Sequence, residues 1–244
     1  MDWSSWRTYY EANKLRPAPE VGETSELVDA ESRRALARSL AIFQLGEAGE
    51  GRIAHEIDRA GLRSIDEDYR VALRHWVREE GRHGRILGTA VRALGGKEET
   101  KNWTNDLLVF GRRLLGVRLK LLVILTAEVV GVTFYGLIAA ALASGQLRAA
   151  LEHIVAEEEA HLRFHTRFFK AESSGVLRRW AFLIAWWCVG LSACAVVSLD
   201  HRRTLDRLGI SKLWAARAFI QLLGATADAV TGARETSLLP QAAV

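Results

Sequence analysis

The chain of 244 residues has only three prolines, two cysteines and one methionine. Each shortage excludes something. Few prolines leave little to interrupt long helices. The cysteines, Cys188 and Cys194, lie six apart in an apolar run, on different faces of a helix, so they read as reduced packing residues rather than a disulfide or a metal pair. Charge of one sign is also missing. The 33 basic and 29 acidic residues leave a net +4, which excludes a dedicated nucleic-acid surface. The N-terminal stretch Met1 to Tyr10 has no apolar core behind basic residues and does not read as a signal peptide, so a cytoplasmic protein is the expectation.

What is abundant is apolar surface at helical spacing. Hydrophobic residues make up 49% of the chain, enough for a substantial core. Residues 1–28 read as an N-terminal arm: Trp3, Trp6, Tyr9 and Tyr10 can pack on the body, and Pro17 and Pro19 disfavour helix continuation. A first helix is expected from Asp29, with Leu36, Leu40, Phe43, Glu47, Glu50, Ala54 and Ile57 on its seam. A second repeats the rhythm with Tyr69, Leu73, Trp76, Glu80, His83, Leu87, Ala90 and Leu94, and Gly95-Gly96 ends it.

The polar segment Lys97 to Asp106 reads as a long crossover. A third helix, from about Leu107, is most apolar over Leu121 to Ala143, and Glu128 is the only charge in those 23 residues. That length also permits a membrane span, but a central bundle helix gives the same pattern and accounts for the lone acid. Ser144-Gly145 turns the chain into a fourth helix with Leu147, Leu151, Ile154, Glu158, His161, His165 and Phe168 on one seam. Short connections within pairs and a long one between pairs predict an all-α four-helix bundle over residues 29–170.

The polar residues on these seams carry the chemistry. Glu80-Gly81-Arg82-His83 is echoed by Glu158-Glu159-Ala160-His161, and a Glu and a His three apart on a helix face the same way. A carboxylate in an apolar core is costly unless paired or metal-bound. Taken singly, each Glu could sit at a bundle edge in an ion pair and each His could be a satisfied core residue. Together, Glu47, Glu50, Glu80, Glu128 and Glu158, with His83, His161 and His165, interrupt four seams at matched depth and read as a metal site. Mixed carboxylate and imidazole ligands suit iron or manganese, including a mixed Mn/Fe pair, and the lack of a nearby cysteine argues against a thiolate centre.

This pattern of Glu, Glu-x-x-His, Glu, Glu-x-x-His resembles the ferritin-like di-iron carboxylate superfamily over roughly residues 30–170. Gly46-Glu47-Ala48-Gly49-Glu50-Gly51-Arg52-Ile53 is similar to the first-helix motif of demethoxyubiquinone hydroxylases, and the step from Glu47 to Glu80 is similar to that in rubrerythrins. The resemblance implies Glu47, Glu80, His83, Glu128, Glu158 and His161 as ligands of two iron ions, with Glu80 and Glu158 bridging. Glu50 is an alternative first-helix ligand or an auxiliary carboxylate, because the step from Glu50 to Glu80 equals that from Glu128 to Glu158. His165, one turn past His161 on the same seam, reads as a hydrogen-bonding or packing residue with an extra-ligand role left open, and Tyr135 as a core residue with a relay role left open. No catalytic residue beyond the ligands is singled out, and no organic cofactor. Phe43, Trp76 and Val132 are expected to wall the site against water.

Residues 171–244 exceed what such a bundle needs and form a C-terminal helical extension. Trp180 to Leu199 carries no charge and is flanked by Arg178-Arg179 and by Asp200-His201-Arg202-Arg203. It could span a bilayer, lie on a membrane surface, or pack on the bundle as a fifth helix. Ser211 to Gly224 is amphipathic, with Trp214, Ala218 and Leu222 available to pack, and a loose tail is expected from Gly232.

The expected function is a di-iron oxidase or oxygenase that uses dioxygen and an external electron donor on a small, lipophilic or otherwise organic substrate. A ferroxidase, iron-handling or peroxide-reducing protein is the alternative, and a pure scaffold with a vestigial site the third. A homodimer is left open.

Overall fold

The structure is a computed structural model, and it describes residues 2–22, 29–47, 52–100 and 116–232. Among the described residues there are nine helices and no strand. They are α1 (Ser4–Asn13), α2 (Ala30–Glu47), α3 (Arg52–Asp58), α4 (Glu67–Ala93), α5 (Val117–Ala141), α6 (Gln146–Glu172), α7 (Val176–Asp200), α8 (Arg202–Arg207) and α9 (Lys212–Thr231). The fold is all-α, consistent with a helical bundle. Glu50, most of the polar crossover and the tail after Gly232 lie outside the described residues. The expected seam from Leu36 to Ile57 is accordingly described as two helices, α2 and α3.

The chain divides into two compact units, residues 1–120 with 143–150, and residues 121–142 with 151–244. In the first unit α1, α2 and α3 each pack on α4. The ends of α4 follow from local chemistry. The Asp66 carboxylate accepts the Tyr69 backbone N–H at 2.8 Å, and Glu67 and Asp68 place further negative charge at the positive end of the helix. At the other end Gly95 adopts φ +76°, its N–H reaches Arg92 O, and the Gly96 N–H reaches Val91 O, both at 2.9 Å. A side chain at φ +76° would be strained, so glycine is what lets the chain turn here. Asp29 caps α2 by accepting the N–H groups of Glu31 and Ser32.

The N-terminal aromatics divide. Trp3 is fully buried, its indole N–H donates to Ser64 O at 2.9 Å, and its ring meets Tyr69 edge-on at 4.9 Å. Tyr10 is buried as well, while Trp6 and Tyr9 are half-exposed.

In the second unit α7 packs on α9 and α8. The Trp186 indole N–H donates to Leu223 O at 3.0 Å, and a Cβ on Gly190 would stand 2.7 Å from Leu223, so glycine permits the close approach of α7 and α9. Phe169 on α6 lies 5.4 Å from Phe182 on α7, and Phe134 on α5 lies 4.9 Å from His201 just past the end of α7. The α9 seam runs Ala215, Phe219, Leu222, Leu223 and Thr226, so Leu222 packs as expected but Trp214 is 50% exposed.

Two helices are long and apolar enough to cross a membrane, α5 and α7. The apolar stretch of α5 is 89% buried and that of α7 only 22%. α5 is therefore a core helix, and α7 is covered on one side.

Candidate metal centre

On α4 the 3.6-residue period brings Trp76, Glu80, His83 and Leu87 onto one buried face. Glu80 is 4% exposed and His83 fully buried, with His83 Nδ1 3.9 Å from Glu80 Oε1. Adjacent Glu79 is buried too, and Arg82, one turn on, reaches it at 3.5 Å while donating to Asn13 O at 3.4 Å. A charge-balanced Glu79 leaves Glu80 as the carboxylate beside the imidazole.

The second unit holds a larger cluster. Glu128 on α5 and Glu158, His161 and His165 on α6 are all buried. Glu158 and His161, three apart, share a face, and His161 Nδ1 lies 3.5 Å from Glu158 Oε2 and 3.7 Å from Glu128 Oε2. The other oxygen of Glu128, Oε1, lies 3.6 Å from His165 Nε2. One carboxylate thus faces two imidazoles. Gly131, one turn beyond Glu128, makes room: a Cβ there would already be in van der Waals contact with the Glu158 carboxyl at 3.5 Å.

These separations are longer than the roughly 2.7–3.2 Å of a hydrogen bond. Two donors bound to one ion at about 2.1 Å stand about 3.0–3.4 Å apart for right-angled or tetrahedral arrangements. The 3.5 and 3.7 Å spacings are close to that range, and the donor set, hard carboxylates with imidazoles and no thiolate, suits iron or manganese.

Burial also sets the charge of His165. Its pKa is lowered to about 3, first by desolvation and then by neighbouring His161, against an opposing pull from Glu158. The ring is neutral at physiological pH and keeps a lone pair for an acceptor role.

Of the remaining residues expected from sequence, Glu47 is the last residue of α2 and is half-buried, and Tyr135 is fully buried on α5. Glu50 lies outside the described residues. Trp76 and Val132 are buried and Phe43 is half-buried. Glu79 and Glu157, off the seams read from the sequence, are as buried as the residues beside them. Glu157 has His153 one turn back at 3.5 Å, as Glu79 has Arg82 one turn on, and a basic partner at helical spacing was the available signal.

No family model, no curated protein and no solved structure matches the chain.

Proposed function

We propose that the chain holds a pair of iron ions with Glu47, Glu80, His83, Glu128, Glu158 and His161 as their ligands, and that the protein is an oxygen-activating oxidase or oxygenase. The observation that carries this reading is that each unit buries a carboxylate beside an imidazole, Glu80 with His83 and Glu158 with His161, four residues of the kind that could hold a metal ion. A pair of ferrous ions bound there would supply two electrons to dioxygen. The chain's own residues supply the setting. Glu128 turns one oxygen toward His161 and the other toward His165, and Gly131 leaves the Glu158 carboxyl without a Cβ packed against it. Trp76 and Val132 withhold bulk water from their own stretches of helix. The substrate class favoured is a lipophilic organic molecule, because α7 keeps a broad apolar face uncovered, which iron storage does not require.

Anaerobic titration of the full chain with ferrous iron tests the centre. About two tightly bound irons per chain are expected, and binding well short of that sinks the di-iron reading. Oxygen is then admitted with excess ferrous iron. Growth of a mineral core would favour ferroxidase or storage chemistry, whereas oxygen consumption that stops after stoichiometric iron oxidation favours an enzyme that waits for an organic substrate and a reductant.

A further inference from the structure

α7 departs from the usual pattern of a surface helix. Its buried stripe is Phe182, Trp186, Gly190 and Cys194. The opposite stripe, where a soluble helix carries charged side chains, is Leu177, Trp180, Ile184, Leu191 and Leu199. These are 86%, 61%, 64%, 47% and 65% exposed. From Trp180 to Leu199 no side chain is charged. Ser192, exposed on that face, is polar, and its hydroxyl donates to the Cys188 carbonyl one turn back at 2.7 Å. A hydroxyl satisfied inside its own helix can enter a medium without water, where an unsatisfied one would be costly.

Both ends of this apolar face carry paired arginines, with the half-buried Asp200 as the one acid between Leu199 and the second pair. Arg178 and Arg179 are exposed at its start, and Arg202 and Arg203 are exposed just past its end. Residues 176–231 hold seven basic residues and three acidic ones. Trp214 and Ile220 of α9, both 50% exposed, extend the uncovered apolar surface of the same unit.

We infer that this face docks on an anionic lipid bilayer, with α7 lying in the plane of the interface rather than crossing it. An exposed apolar stripe between basic termini matches a surface whose acyl region takes the side chains and whose phosphates take the arginines. The in-plane pose follows from the packing of the other stripe. Phe169 of α6 meets Phe182, and α6 carries exposed Arg163 and Lys170, which a spanning α7 would draw toward hydrocarbon. α9 covers the same side at Trp186 and Gly190.

Flotation of the full chain with phosphatidylcholine vesicles, with and without phosphatidylglycerol, tests the inference. The chain is expected to float with the anionic vesicles, more weakly with the neutral ones, and to be released by alkaline carbonate. An Ile184→Asp/Leu191→Asp variant, altered only at exposed positions and checked for unchanged helical circular dichroism, should lose about tenfold or more of its vesicle partition. An Arg178→Glu/Arg179→Glu variant should lose the preference for anionic vesicles while retaining residual binding. Failure of the native chain to float, or unchanged flotation of the Asp variant, would overturn the proposal. A concentration-dependent dimer that the Asp variant breaks, with no vesicle binding, would assign the face to a second copy instead. Retention through carbonate would replace in-plane docking with a span.

Discussion

Replacing Glu128 by Gln separates a metal ligand from a structural ion-pair partner. The side chain is 3% exposed, and its oxygens lie 3.7 Å from His161 Nδ1 and 3.6 Å from His165 Nε2. His165 is neutral at physiological pH, so it does not balance the carboxylate as a cation. Without metal, Glu128 and Glu158 both point a carboxyl oxygen at the single His161 ring, and a buried carboxylate in excess of its partners would cost several kcal/mol. Glutamine keeps the shape and removes one charge. Because its amide still requires hydrogen-bond partners, the gain should fall at the low end of the range for relieved buried charge, about 1–2 kcal/mol. For a chain of this length that is a rise of about 2–8 °C in the melting temperature of the metal-free protein.

The metal-loaded protein should behave oppositely. Ferrous iron at about a hundred times its dissociation constant adds about 2.7 kcal/mol to the native chain and much less to Glu128→Gln. Melting curves by far-ultraviolet circular dichroism, run anaerobically with and without ferrous iron, read both arms. If the variant without metal were less stable by about 3–5 kcal/mol, Glu128 would be one half of a buried ion pair with a protonated histidine, and the argument from excess charge would be refuted.

Two further tests address the scaffold and the pH response. Gly96→Ala would place a Cβ 2.7 Å from the Ala37 Cβ and 3.2 Å from Val91 O, so it should lower stability by about 1–3 kcal/mol in urea unfolding; an unchanged midpoint would mean α2 can shift away from the end of α4 at no cost. His75 on α4 has its pKa lowered by desolvation, then by Arg78 and Lys14. Folding therefore favours its neutral form. Its contribution is fully present above the ordinary histidine value of 6.5 and is lost as pH falls below it toward the lowered value. In a histidine NMR titration His75 should titrate below 6.5, and Arg78→Ala should move it upward; no movement would remove Arg78 as a cause.

Helix ends and site-bearing faces were legible because they depend on neighbours within a few residues. Gly95 ends α4 and Asp29 starts α2 as the sequence implied, and the structure adds Asp66 as the cap that starts α4. The same period places Glu80 with His83 and Glu158 with His161, since three residues of α-helix return nearly to the same direction. Burial of Glu79 and Glu157 was not legible. Two adjacent glutamates differ by about 100° around a helix, and whether both are covered depends on how many neighbours flank the helix. The arrangement of His165 was likewise open until α5 set Glu128 against it at 3.6 Å.

The two apolar helices show where sequence stops. Both α5 and α7 have the length and composition of a membrane span; the lone Glu128 marks α5 as a bundle helix, whereas α7 carries no such local mark. By itself the sequence determined that each is a helix and which residues share each side of it, because backbone periodicity and apolar spacing are properties of the segment. Tertiary structure bore out the enclosure of α5 and alone decided that α7 leaves Trp180, Ile184 and Leu191 uncovered. Coverage is a property of the neighbours a helix acquires, and hydrophobic burial rewards any apolar partner about equally per unit of area.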